Sequence, residues 1–114
     1  MTTIYHNPRC SKSRETLQLL QSRGIEPDVV LYLDSPPDAA TLKALLKKLG
    51  IKPRDLMRQK EPEYKEQGLQ DTTLSDEQLI AAMVACPKLI ERPIVVNGRK
   101  AALGRPPENV LEIL

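Results

Sequence analysis

The chain has 114 residues, enough for one compact domain and too few for two large ones. Seventeen basic residues against fifteen acidic leave a net charge of only +2, and three Tyr with no Phe or Trp make no stacking platform, which argues against nucleic acid. The opening MTTIYHN lacks the basic start and apolar stretch of a signal peptide, and no apolar run approaches the ~20 residues that cross a bilayer. A cytoplasmic, monomeric protein with no membrane partner is expected.

Thr3 to Tyr5 begin the chain as a short strand, which Asn7-Pro8 breaks. SKSRETLQLLQSRG, residues 11–24, reads as a helix with Thr16, Leu17 and Leu20 on its inner face and Gly24 at its C-terminal cap. Val29 to Tyr32 form a continuous apolar run, predicting a strand covered on both faces. In SPPDAATLKALLKKLG, Ser35 and Asp38 have capping-box spacing, Pro36 suits the first helical position and Gly50 ends the pattern. Leu42, Leu45, Leu46 and Leu49 follow its helical period.

Short helical pieces are expected around 53–59 and 62–67. A capped helix starts at Ser75, with Gln78 three residues on and Leu79, Ile80, Met83 and Val84 inward. Ile94–Val96, Asn97-Gly98 and Lys100–Leu103 read as a hairpin with a type I′ dipeptide. Arg105-Pro106-Pro107 opens a last helix carrying Val110, Leu111 and Leu114. This order predicts an α/β fold: a mixed four-stranded sheet flanked by helices, with an inserted helical region, in a single domain over residues 1–114.

One stretch concentrates the chemistry. HNPRCSKSR, residues 6–14, holds the only His and one of the two Cys, beside two Arg. Cys10 falls between the first strand and the first helix, where unsatisfied N–H groups and the positive end of the dipole favour an anion. A free thiol has a pKa of about 8.5. Such a setting, with cations nearby, lowers it to roughly 3.5–7.5, which makes thiolate a major species. His6, Arg9 and Arg14 are the candidate cations, and Ser13 is a candidate donor to the sulfur. Asn, Pro, Arg, Ser and Lys neighbours suit a reactive cysteine better than a buried apolar one.

His6 taken alone reads equally well as a strand-end residue satisfied by backbone. Dithiol C-x-x-C chemistry and the C-x5-R phosphatase loop both fail on spacing, because Ser13 and Thr16 stand at the required positions. What remains is a monothiol C-x-x-S centre. Cys86 reads as a partly buried helix-end residue. A structural disulfide is not expected of a cytosolic chain, and one His with no paired ligand spacing predicts no metal.

HNPRCSKSR, together with ERPIVV at 91–96 and LGRPPE at 103–108, resembles the glutaredoxin-coupled arsenate reductases of the ArsC family. The likeness is greater still to the YfgD-type bacterial subgroup, and it runs from IYHNPRC to PPENVLEIL. It implies a thioredoxin-like fold with an inserted helical region, and a cis peptide bond at Arg92-Pro93. It assigns the nucleophile to Cys10 and makes His6 and Ser13 supporters of its ionisation, a role that the residue reading above extends to Arg14. It places oxyanion contacts on Arg58 in DLMRQK, Arg92 and Arg105. The implied reaction is reduction of arsenate to arsenite through a Cys10 thiolate–arsenate adduct, with glutathione as co-substrate, glutaredoxin as partner and no bound cofactor.

Several arginines suit that chemistry. Two anions ~4 Å apart repel by about 4 kcal/mol at an effective dielectric near 20, and guanidinium forks hold tetrahedral oxyanions through paired hydrogen bonds. Some relatives carry a Cys just before the last arginine, where this chain has Gly104, which disfavours an internal disulfide route. Arg9, Ser11 and Lys12 stand where some reductases have small residues, adding charge at the mouth. Two alternatives stay open: an Spx-like thiol-based regulator or interaction protein, and a related thiol oxidoreductase with another substrate. C-x-x-S with three arginines favours the enzyme over the regulator.

Overall fold

The first strand has a parallel neighbour on one side and an antiparallel neighbour on the other. In the computed structural model, which describes residues 2–114, the elements in order are β1 (Thr2–Tyr5), α1 (Ser11–Ser22), β2 (Asp28–Val30), α2 (Ala39–Leu49), α3 (Pro62–Glu66), α4 (Asp76–Ala85), β3 (Ile94–Asn97) and β4 (Lys100–Leu103). Three 3-10 segments, Pro53–Leu56, Pro87–Leu89 and Pro107–Ile113, complete the chain. The sheet order is β2-β1-β3-β4, with β1 parallel to β2 and antiparallel to β3. This is the mixed four-stranded sheet flanked by helices, with added helical elements, that the order of elements predicts.

The chain forms two compact units. One joins residues up to Ser35 with Arg92–Leu114, and the other is Pro36–Glu91. The first unit holds the sheet, α1 and the C-terminal 3-10 helix around a core of Ile4, Leu20, Val95 and Val110, all fully buried. The second unit is helical. In it α2 packs on α4, burying Leu42, Leu45 and Leu46 on one and Leu79, Ile80 and Met83 on the other. Arg54 ties its loops together, donating to the Tyr64 hydroxyl (2.6 Å), the Leu69 carbonyl (2.6 Å) and the Asp71 carbonyl (2.8 Å). No helix among the described residues is long and apolar enough to cross a membrane.

Four local expectations change. β2 is an edge strand with one face open rather than both covered: Tyr32 is buried while the alternating Val29, Leu31 and Leu33 are exposed. The N-cap of α2 is Asp38, whose carboxylate accepts from the Thr41 N–H at 2.8 Å. Consecutive prolines hold Ser35 and Pro36 out of the helical region, which delays the helix. In the hairpin Asn97 pairs with Lys100, so Gly98-Arg99 is the loop, and φ is positive at Gly98 alone. That is the II′ pattern, with glycine first.

The last helix is 3-10 rather than α. Its core-facing residues Pro107, Val110 and Ile113 recur every third position, and a 3-10 helix aligns them in one row. Ser75 and Gln78, by contrast, form the reciprocal capping box read from their spacing.

Gly104 links β4 to that last helix under tight steric limits. A Cβ there would collide with Thr16 Oγ1 and stand 2.8 Å from Pro93 Cγ. Thr16 is itself fully buried and donates to the Lys12 carbonyl at 2.8 Å, so it has little room to retreat. Gly104→Ala is therefore expected to cost about 1–3 kcal/mol, the usual range for overpacking, read as a lower urea midpoint at unchanged m-value. An unaltered midpoint would show that Thr16 and Pro93 yield.

Candidate active site

Strand register brings the three motif segments to one end of the sheet. Tyr5, the last residue of β1, pairs with Ile94, the first of β3, which pairs with Leu103, the last of β4. The loop leading to Cys10, the Arg92 approach and the Arg105 exit therefore share that end. The Arg92-Pro93 bond is cis, as expected, and so is Arg105-Pro106. Arg105 Nη1 donates to the Arg92 carbonyl at 3.4 Å, joining the two segments.

Asn7 builds the loop between β1 and α1. Its carbonyl accepts from the Cys10 N–H, its Oδ1 accepts from the Arg9 N–H and its own N–H donates to Ser13 Oγ, each at 3.0 Å. The sequence pattern reads Asn7 only as a strand breaker. The signal for more was the Asn residue itself, whose short amide habitually folds back on nearby backbone. Arg14 Nη1 donates to the Pro8 carbonyl at 2.8 Å and tightens the same loop.

The loop delivers Cys10 as the N-cap of α1, in extended conformation. Ser, Thr, Asp or Asn usually sits there, offering oxygen to the N–H groups of the first turn. No side-chain hydrogen bond of ordinary length closes this cap. A sulfur atom faces those amides instead. Burial pushes the thiol pKa up, but the Ser13 N–H, the Arg92 charge, the Lys12 N–H and a hydrogen bond from the Arg92 side chain outweigh it, leaving the pKa below its ordinary value.

His6 and Arg14 act differently from the expected cations. His6 is buried, and its pKa is lowered first by that burial and then by the Arg14 charge, so near neutral pH it is an uncharged hydrogen-bonding group. Its Nδ1 lies 2.6 Å from Ser13 Oγ. Ser13 thus meets the sulfur through its backbone N–H, while its hydroxyl is held by His6 and by the Asn7 N–H.

Arg58 lies in the helical unit, where its Nη1 pairs with Glu61 at 2.8 Å and its N–H bonds the Leu89 carbonyl at 2.7 Å. Cys86 is the half-buried C-cap of α4 in that unit. Among the described residues no three His, Cys, Asp or Glu side chains gather into a metal site.

The model of the ArsC family matches residues 5–113. The chain is 67% identical to YfgD of Escherichia coli (strain K12) over 112 residues, covering 97% of this chain and 94% of that protein. It is 53% identical to an arsenate reductase of Haemophilus influenzae, covering 97% of each. The solved arsenate reductase from Vibrio cholerae superposes with a TM-score of 0.98 at 57% identity, covering 99% of this chain and 97% of that one.

Two outcomes follow from the electrostatics. Arg92→Ala removes both a charge and a donor from Cys10, so its thiol pKa is expected to rise toward the free value. The pH profile of iodoacetamide alkylation in a Cys86→Ser background measures it; an unmoved profile would leave only the helix amides acting on sulfur. For His6 the folded pKa is below the unfolded one, so the unfolded chain binds the proton more readily. Its contribution to stability is complete above about pH 6.5 and falls as pH drops through that value. Urea titrations at pH 7.5 and 5.5 are expected to show a smaller loss in His6→Gln than in the parent.

Proposed function

Because the chain belongs to the ArsC family, we propose that it reduces arsenate to arsenite, with Cys10 as nucleophile and glutathione and glutaredoxin as the thiol donors. The observation that carries this reading is the buried Cys10 sulfur, its pKa lowered by the first-turn amides of α1 and by Arg92. Such a sulfur ionises more readily than a free thiol and is paired with the guanidinium that an approaching oxyanion needs.

In the proposed cycle the Cys10 thiolate attacks arsenic, one arsenate oxygen leaves as water, and a Cys–S–As(V) adduct forms. Glutathione adds its thiolate to the arsenic and displaces a second oxygen as water. A glutaredoxin thiolate then attacks the glutathione sulfur. The electron pair of the broken S–As bond stays on arsenic, giving As(III) and a glutathione–glutaredoxin disulfide. Hydrolysis releases arsenite and regenerates Cys10. Two thiols are oxidised for one two-electron reduction, and no bound cofactor takes part.

Arg92 neutralises repulsion between thiolate and arsenate, and Arg105, bonded to the Arg92 carbonyl, holds the oxyanion beside it. Arg58 receives the same assignment from the family resemblance. Asn7 and Arg14 set the loop, and neutral His6 orients the Ser13 hydroxyl.

Arsenate turnover is expected to require both glutathione and glutaredoxin. Ala at Arg58, Arg92 or Arg105 should lower kcat/KM for arsenate by about 100–1000-fold, the loss typical of one oxyanion donor. Lys should restore only part of it, since it keeps the charge and loses the fork. Cys86→Ser should turn over normally. Absence of turnover with any thiol donor would instead support a regulator, and robust turnover dependent on Cys86 would replace the proposed cycle.

A further inference from the structure

We propose that the groove between the Cys10 loop and the end of β2 seats the thiol co-substrate, a small peptide thiol carrying both a carboxylate and an ammonium group; the proposal rests on the reading of Cys10 as nucleophile. The groove, of about 340 Å³, has Asn7, Pro8 and Arg9 on one wall and Leu31, Leu33 and Asp34 on the other. It exists because the sheet runs out. Tyr5 pairs with Val30, the His6 N–H reaches the Val30 carbonyl at 2.8 Å, and beyond that bond the two chains leave the sheet side by side.

Its wall is chemically unusual for this protein. Among the described residues, two of the four exposed large hydrophobics, Leu31 and Leu33, line it, and a third, Val29, continues their alternation along β2. Single exposed aliphatics need no explanation, but an alternating row beside a reactive residue marks a binding surface. The charges are opposite across the groove, Arg9 on one wall and Asp34 on the other, and among the described residues neither is in an ion pair. A zwitterionic peptide meets that arrangement: carboxylate at Arg9, ammonium at Asp34, methylenes over Leu31 and Leu33.

Size favours a small thiol over a protein one. The volume is near the lower end of ordinary ligand sites, roughly 300–1,000 Å³. Cys10 is only 8% exposed, which obstructs a thiol embedded in a folded surface more than one at the end of a flexible peptide. The groove's lining includes Arg9, next to Cys10 in the chain, so a peptide lying in it sits beside the Cys10 loop.

Thiol–disulfide exchange tests this without arsenate. The Cys10 thiolate attacks one sulfur of glutathione disulfide, forming a protein–glutathione disulfide and releasing one glutathione thiolate. Rates are measured in the Cys86→Ser background against glutathione disulfide and against uncharged 2-hydroxyethyl disulfide, and the ratio cancels any change in thiol reactivity. Arg9→Gln and Asp34→Asn are each expected to lower that ratio by about tenfold, the size of one charge-assisted hydrogen bond. N-acetylation of the glutathione disulfide should abolish the Asp34 effect and leave the Arg9 effect.

Ratios unchanged by both substitutions would overturn the groove while leaving arsenate turnover as an independent matter. An effect confined to glutaredoxin-driven reduction of preformed Cys10–glutathione would overturn it in favour of a protein dock. A lowered ratio in a protein that fails to turn over arsenate would uphold the groove and remove the arsenate reading alone.

Discussion

Easing the ionisation of a buried thiol is the constraint on which the rest of the site depends. Burial by itself drives Cys10 toward the neutral thiol, and the protein reverses that preference with backbone N–H groups and one guanidinium. The N–H groups exist because α1 begins at Ser11 with no conventional cap, so its first-turn donors remain available to sulfur. The guanidinium exists there because β3 lies beside β1 with Tyr5 opposite Ile94, which carries Arg92 to the Cys10 end of the sheet. Sheet topology, helix start and thiol acidity are thus one arrangement.

The cations around Cys10 are divided by task. Arg92 acts on the sulfur, whereas Arg14 is bound to the Pro8 carbonyl and its charge acts on His6. Discharging His6 has a clear use. A charged imidazole would donate from both nitrogens, whereas a neutral one can accept the Ser13 proton at Nδ1 or give its own, so the Ser13 hydroxyl stays in a network that moves no net charge. Positive charge at the site then comes from arginines, which no pH change near neutrality can switch off.

The sheet and most helices were legible because their signals are local. Leucine periodicity located α2, the Ser75–Gln78 spacing located the start of α4, and the placement of Cys10 between strand and helix followed from where each pattern stops. Features decided by partners distant in sequence were not legible. An apolar run such as Val29–Tyr32 reads alike in a central and an edge strand, since only the strand order says whether a second neighbour exists. Residue type alone made His6 and Arg14 candidate cations on the thiol, but which atom a long side chain reaches depends on the loop it crosses. Asn7 shows the reverse case, a residue whose contacts lie within six positions but whose pattern has too many outcomes to choose from.

Gly104 connects the packing of the fold to the helix that carries Cys10 at its start. The Thr16 hydroxyl and the Pro93 ring close over it so tightly that a side chain there must displace one of them. A cysteine at this position, one residue from Arg105, is the internal resolving group the resemblance raises for some relatives, and here its Cβ would meet Thr16 and Pro93. The same closure anchors α1 to the turn after β4 through Thr16, so it also steadies the helix whose first amides face Cys10. At the β2 edge the chain leaves an apolar row and two opposed charges open to solvent beside the Cys10 loop.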